Sequence, residues 1–322
     1  MSGVDFFKKI LVPVDDSVPS LAAQELAALI AKKYDSEVTA LYVISHPFMT
    51  ARPAMNMVEE VAEQEYSPSQ TSRSGDHSMP KLFGPLDQAR PIPKEAIGEI
   101  NDWYHERGEA VAGEAVKLLK AEDVKADKRV IEFPDPASAI IRQVEHEDYD
   151  SIVMGRSGEK AKKQPHLGST AEKVVRHAKV PVLVVGESRK VSRILVPVDG
   201  SWEAIKALKT AVNLAKMMNA KITLLHVQEA GISRLRPEIA KDMGNAILTQ
   251  AASMVNEFND EDFDKRLEFG SPGTVITNIA EEEKSDIIVM GDKGHGSVRK
   301  FLLGSVSNHV LHYSNHTILI VK

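Results

Sequence analysis

The stretch that decides the fold occurs twice, as KKILVPVDDS at residues 8–17 and as SRILVPVDGS at 192–201. In each copy a continuous apolar run ends in Val-Pro-Val-Asp and a polar turn. Residues that are apolar in succession, and not in alternation, belong to a strand buried on both faces. Such strands sit in parallel sheets sandwiched between helices. The remainder of the chain bears out this repetition. VTALYVI (38–44) returns as ITLLHVQ (222–228) at an offset of 184, and VPVLVV (180–185) returns as HTILIV (316–321) at an offset of 136. The drop of 48 places an insertion of that length after the second strand of the first half. A repeat of domain size reads as a tandem duplication, not a solenoid.

In the second half the spacing predicts strand 193–198, helix 202–218, strand 221–227, helix 237–258, strand 264–268, helix 273–283, strand 287–290, helix 305–313 and strand 317–321. Ala204, Leu208, Ala211, Leu214 and Ala215 mark the buried face of the first of these helices. Alternating strands and helices with right-handed crossovers give an α/β fold: two tandem, doubly wound, parallel-sheet domains. The expected boundaries are 1–187 and 188–322. The insertion, about 46–95, holds SPSQTSRSGDHSMP and GPLDQARPIP and reads as mostly irregular. Rooted at the end of the second strand, it either covers or borders the first half's site or runs out into solvent as a disordered excursion. Met49, Met55 and Met57 within it have roughly helical spacing and read as packing residues.

The chain of 322 residues carries a formal net charge of -6 and no cysteine. Disulfides, thiolate zinc sites and thiol catalysis are excluded. A mildly acidic chain gives no reason to expect a nucleic-acid partner. No apolar run approaches membrane-spanning length, and the first residues run straight into a strand, so a cytoplasmic protein with no membrane partner is expected.

Ligands of doubly wound sheets bind beyond the strands' carboxyl ends. There the fourth strand of each half runs into Gly-x2-Gly, then nine residues, then Gly-Ser: Gly155, Gly158, Gly168 and Gly291, Gly294, Gly304. Gly168 and Gly304 each open a predicted helix, whose free N–H groups and partial positive charge suit phosphate. Arg156, Lys160, Lys162 and Lys163 accompany the first loop, and Lys293, Arg299 and Lys300 the second. No Walker A sequence and no G-x-G-x-x-G after the first strand is present. The plain alternative is that the glycines are only turn and cap residues. Asp15 and Asp199 read as turn formers or ligand anchors, not as catalytic acids, since no partner carboxylate repeats beside them. His309, His312 and His316 loosely resemble metal spacing, but the third falls on the next strand and the set reads as surface or core histidines.

ILVPVD at the start of each half, IVMG in strand four and the Gly-x2-Gly-x9-Gly-[Ser/Thr] that follows make the chain resemble a tandem universal stress protein. The last element is similar to that family's ATP-binding signature. The resemblance implies a Rossmann-like five-stranded sheet of order 3-2-1-4-5 in each half, dimerisation through fifth strands, and bound ATP, AMP or ADP, with Mg2+ as a candidate companion. Carried over residue by residue, it implies that Pro13 and Asp15 flank the adenosine and that the main chain of Val43 meets the base. Met154, Gly155, Ser157 and Gly158 would line ribose and phosphates, and Gly168, Ser169 and Thr170 would hold the phosphates. The second set is Pro197, Asp199, Val227, Met290, Gly291, Lys293, Gly294, Gly304, Ser305 and Val306. One departure stands out: FPDPASAI has Pro134 where FGSPGTVI has Gly270. A proline there fixes φ and removes an N–H, so the second site is expected to be the better one. A nucleotide-dependent regulatory or stress-response protein with an unnamed protein partner is the expected function, and a homodimer is a candidate assembly. A slow ATP hydrolase and a dimerisation module with vestigial loops are the alternatives, and no catalytic residue is assigned.

Overall fold

A computed structural model describes residues 6–45, 94–158, 167–187, 189–229, 236–255, 263–294 and 303–322. Strands β1 (Lys9–Pro13), β2 (Glu37–Ile44), β3 (Lys125–Glu132), β4 (Ser151–Gly155) and β5 (Val182–Val185) belong to the first half. Its helices are α1 (Val18–Tyr34), α2 (Lys94–Ala121), α3 (Pro136–His146) and α4 (Ser169–His177). The second half repeats them as β6 (Arg193–Pro197), α5 (Trp202–Met218), β7 (Lys221–Gln228), α6 (Pro237–Ser253) and β8 (Phe263–Phe269). It ends with α7 (Pro272–Glu282), β9 (Ile287–Gly291), α8 (Ser305–Tyr313) and β10 (Thr317–Val321).

The strands form one ten-stranded sheet, ordered β3-β2-β1-β4-β5-β10-β9-β6-β7-β8. Each half has the order 3-2-1-4-5 with parallel neighbours, and the halves join where β5 and β10 pair antiparallel, Leu183 opposite Leu319. The pairing covers two strand edges that would otherwise expose unpaired backbone groups. Val182, Leu183, Val184, Ile318, Leu319 and Ile320 at this seam are fully buried. Each such side chain contributes roughly 1.5–3 kcal/mol of burial.

Successive strand residues feed opposite faces. Ile10 and Val12 join the core under α1, α2, α5 and α6, while Leu11 joins the core under α3, α4, α7 and α8. Both cores run through the seam without a break. The predicted apolar stripe of α5 is wholly inside: Ala204, Leu208, Ala211, Leu214 and Ala215 are buried. Helix α6 is shorter than expected, ending at Ser253. Met254 N donates to Gln250 and Ala251 carbonyls and Val255 N to Ala252, so the last turn tightens instead of continuing.

At the sheet edge opposite the glycine loops, Asp150 accepts hydrogen bonds from Phe7, Lys8 and Lys9 N–H at 3.0, 2.7 and 3.0 Å. Asp286 does the same for Ser192 and Arg193 N–H at 2.7 and 3.0 Å. Each carboxylate seats the entry to its half's first strand. Helix α2 runs 28 residues against 17 in α6. Its Arg107 is held by Asp16 at 2.5 Å and its His105 by Glu132 at 2.5 Å, at the carboxyl edge of the sheet. Residues 46–93 of the insertion, with Met49, Met55 and Met57, lie outside the described residues, as does any contact they make with the site. Among the described residues no helix is long and apolar enough to cross a membrane.

Candidate functional site

Beyond the carboxyl ends of β1, β2 and β4 the first half opens into a cleft of about 500 Å³. That lies in the range of small-molecule pockets. It gathers the first-half residues carried over from the family pattern: Pro13, Asp15, Val43, Met154, Gly155, Ser157, Gly158, Gly168, Ser169 and Thr170. Leu41, Tyr42, Pro136, Ile140 and Leu167 also line it and were not foreseen. Pro136 and Ile140 are one turn apart on α3, a spacing that could have signalled a helix face turned to the cleft.

Local chemistry sets each wall. Asp15 Oδ1 accepts from Ser17 N–H at 3.0 Å and from Ser17 Oγ at 2.5 Å, and Ser17 Oγ in turn accepts from Ser20 N–H at 3.2 Å. The Asp15 turn is thereby fixed to the N-cap of α1. Gly155 lies against that helix so closely that an added Cβ would stand 2.6 Å from the Pro19 carbonyl carbon. A Cβ on Gly158 would stand 2.8 Å from Asp15 Oδ2.

The glycine motif closes on itself. Gly168 N–H donates to the Arg156 carbonyl at 2.8 Å, bringing the start of α4 against the end of β4. A Cβ on Gly168 would lie 3.1 Å from Ser157 Cα and 3.7 Å from Gly158 N, in the space between the two segments. Gly168 is the N-cap of α4 and supplies no side-chain cap. Among the described residues no side chain caps the first-turn N–H groups of α4, and exposed Ser169 and half-exposed Thr170 stand beside them.

The second half has the same geometry. Asp199 Oδ1 accepts from Ser201 N–H and Oγ at 2.9 and 2.5 Å. Gly304 N–H donates to the Asp292 carbonyl at 2.7 Å and caps α8 without a side-chain bond. A Cβ on Gly294 would stand 2.4 Å from Asp199 Oδ2, and one on Gly304 would stand 3.3 Å from Lys293 Cα. Pro197 ends β6 opposite Leu225, and Met290 pairs with Ile320 beside Gly291. Val227, opposite Glu268, lies in the strand position that Val43 holds opposite Ile131. Ser305 and Val306 open α8.

The sequence profile of the universal stress protein family matches residues 6–186 and again residues 190–322. The chain belongs to the universal stress protein family. A universal stress protein of Methanocaldococcus jannaschii is 32% identical over 139 residues, which are 40% of this chain and 81% of that protein. The crystal structure of a universal stress protein from Archaeoglobus fulgidus overlays with a TM-score of 0.62 at 24% identity, covering 98% of both chains. A protein of unknown function from Pseudomonas aeruginosa overlays at 0.61 with 17% identity, covering 98% of this chain and 92% of its own. At these identities the two overlays show the shared fold.

Within this universal stress protein two sequence expectations change. The first is Pro134, which does not occupy the place of Gly270. Ile222 pairs with Phe263 whereas its counterpart Val38 pairs with Ala126, so β3 and β8 correspond at an offset of 137. Phe133 N–H donates to Ile44 and Gly270 N–H to Gln228, making Phe133 the counterpart of Gly270. Pro134 is an extra residue in the loop before α3, so no N–H is lost to it and it gives no reason to rank the two sites. Gly270 itself has φ of +144°, a conformation that glycine tolerates.

The second change is Arg156, which does not line the cleft. It is 6% exposed, and its Nη2 donates to the Leu311 carbonyl in the other half. Burial pushes its pKa down to about 10. Lys160, Lys162, Lys163, Arg299 and Lys300 lie outside the described residues, and Lys293 Nζ is 3.7 Å from Asp292 Oδ2. The histidines, read as a surface or core set, face different partners. His309 packs on Gly273 and stacks on Tyr313, His312 Nδ1–H donates to Asn308, and His316 Nδ1 meets Ser314 Oγ.

Proposed function

We propose that this universal stress protein binds an adenine nucleotide, ATP, ADP or AMP, at the carboxyl edge of each half and acts as a nucleotide-dependent regulator. The two halves, meeting near residues 187 and 188, are read as two domains with one site each. The observation that carries the reading is the start of α4. A nine-residue helix presents its first-turn N–H groups, uncapped by any side chain among the described residues, across a cradle made by Gly155, Gly158 and Gly168. Aligned N–H donors at a helix start suit a phosphate, and a cleft with Leu41, Tyr42, Val43 and Ile140 on its far side suits a flat base.

The residues fit such a ligand. Glycine leaves the space that a Cβ would fill, and Asp15 is held in place by Ser17. Any Mg2+ would arrive with the phosphates. The second half repeats the cradle with Gly291, Gly294 and Gly304 and the anchor with Asp199. Regulation fits this geometry better than catalysis, since Asp15 lines the first cleft with no second carboxylate beside it among the described residues.

Mass spectrometry of freshly purified, then denatured protein tests the reading. An adenine nucleotide released at up to two per chain is expected. Nucleotide-free protein that also fails to take up added ATP would overturn it. ADP release that disappears with Gly168→Val would point to a hydrolase.

A further inference from the structure

The two glycine motifs are tied to one another through the seam. Helices α4 and α8 each start at a glycine cap on a candidate site, and each ends in carbonyls with no partner inside the helix. In α8 the Leu311 carbonyl accepts from Arg156 of the first half. Its counterpart in α4, the Val175 carbonyl, accepts from Lys322 Nζ of the second half. The repeat offset of 136 relates Val175 to Leu311, Arg156 to Asp292 and Gly186 to Lys322. The two halves thus reach the same acceptor with cations from different positions, one inside the Gly-x2-Gly segment and one just past β10. Asp292, in the place of Arg156, lies 4.0 Å from Lys322.

We propose that Arg156 and Lys322 are positioning residues that link the two candidate nucleotide sites, each holding the site-forming helix of the opposite half. The inference rests on the nucleotide reading given above. The backbone that carries the Arg156 guanidinium also accepts the Gly168 N–H at 2.8 Å, so one residue closes the first site and grips α8. On the other side Asp292 accepts Gly304 N–H at 2.7 Å and its carboxylate approaches Lys322, which grips α4. The contacts form a closed ring from site to seam to site.

A phosphate at the start of such a helix and a cation at its end act on the same dipole. A nine-residue helix is short and stiff, so a pull at Gly304 reaches Leu311. Arg156 cannot relax into water at 6% exposure, and its Nε and Nη1 have no hydrogen-bond partner among the described residues. Movement of α8 is therefore passed to the backbone of the first site. By thermodynamic linkage the effect is mutual.

The test uses the full chain stripped of nucleotide and calorimetric titration with ATP. Gly294→Val isolates the first site, because its Cβ would already meet Asp199 Oδ2 at 2.4 Å. In that background Lys322→Met should weaken the first site about three- to tenfold, inside the roughly two- to thirtyfold range of helix-terminus charge effects. With Gly158→Val isolating the second site, Arg156→Met should weaken that site by a similar factor, and Arg156→Lys should recover most of it. A role in folding alone would not produce this cross-half pattern or the recovery by lysine. ATP binding to both isolated sites with affinities unchanged by either methionine overturns the linkage and leaves the nucleotide reading standing. No uptake of ATP by the parent chain overturns both.

Discussion

Replacing Gly155 by alanine should both loosen the fold and open the first cleft. The added Cβ would sit 2.6 Å from Pro19 C, 2.7 Å from Pro19 O and 2.9 Å from Ser20 N. All three atoms are backbone in the first turn of α1, so no rotamer change relieves the contact. The helix start must retreat by about 0.8 Å before ordinary van der Waals separation near 3.4 Å is restored. Overpacking of this kind costs about 1–3 kcal/mol. The retreat also carries Ser20, whose Oγ accepts from Asp15 N–H at 3.0 Å, and Ser17, whose Oγ lies 3.4 Å from the Ser157 carbonyl. The Asp15 wall should therefore move away from the Gly158 wall. Urea unfolding of the full chain gives the stability change, and ATP titration in a Gly294→Val background gives the effect on the first site. Gly113→Ala is the matched control: it lies inside α2 with nothing among the described residues within 4 Å of the added Cβ, and should stabilise by about 0.5–1 kcal/mol. Wild-type stability and ATP affinity in Gly155→Ala would refute the close approach of β4 to α1 on which the site geometry depends.

Other outcomes follow from the same contacts. Asp150→Ala strips three backbone N–H groups of their carboxylate and should cost about 2–4 kcal/mol in urea unfolding; a loss below 0.5 kcal/mol would contradict the anchoring role. Gly186→Ala would place a Cβ 2.1 Å from Asn315 O and 2.6 Å from His316 C, so amides of β5 and β10 should exchange hydrogen faster than in wild type. Lys322 is buried enough for its pKa to fall from 10.5 to about 8, so the folded state holds its proton less tightly than the unfolded state. The stability of wild type relative to Lys322→Met should then rise from pH 8 toward pH 10, by at most about 3 kcal/mol, and a falling difference would reverse the assignment.

The residues differ in how openly they declare these roles. Helices α5 and α8 and strand β10 have the bounds their sequence patterns predict, because apolar period, capping serine or glycine and the internal repeat agree there. The first-half cleft was legible for a similar reason: glycines at fixed spacing and an aspartate after β1 are chain-local features. Arg156 was not legible, because a cation inside a phosphate-type loop looks like a ligand to the phosphate. Only the antiparallel meeting of β5 and β10 supplies the carbonyl and the burial that turn it toward the seam. Asp150 and Asp286 escaped notice since nothing in their spacing tells which backbone N–H groups, about 140 and 90 residues away, they will meet. Pro134 was misplaced by one position because a constant offset cannot show a residue gained before β8 and lost after it.

Calorimetric titration of ATP into the nucleotide-free chain, repeated with Gly168→Val and Gly304→Val, tests the central claim most directly. The account predicts two sites per chain, one removed by each substitution, since each valine fills the cradle between its glycine motif and its helix start. Absence of binding, or binding that survives both substitutions together, would contradict it.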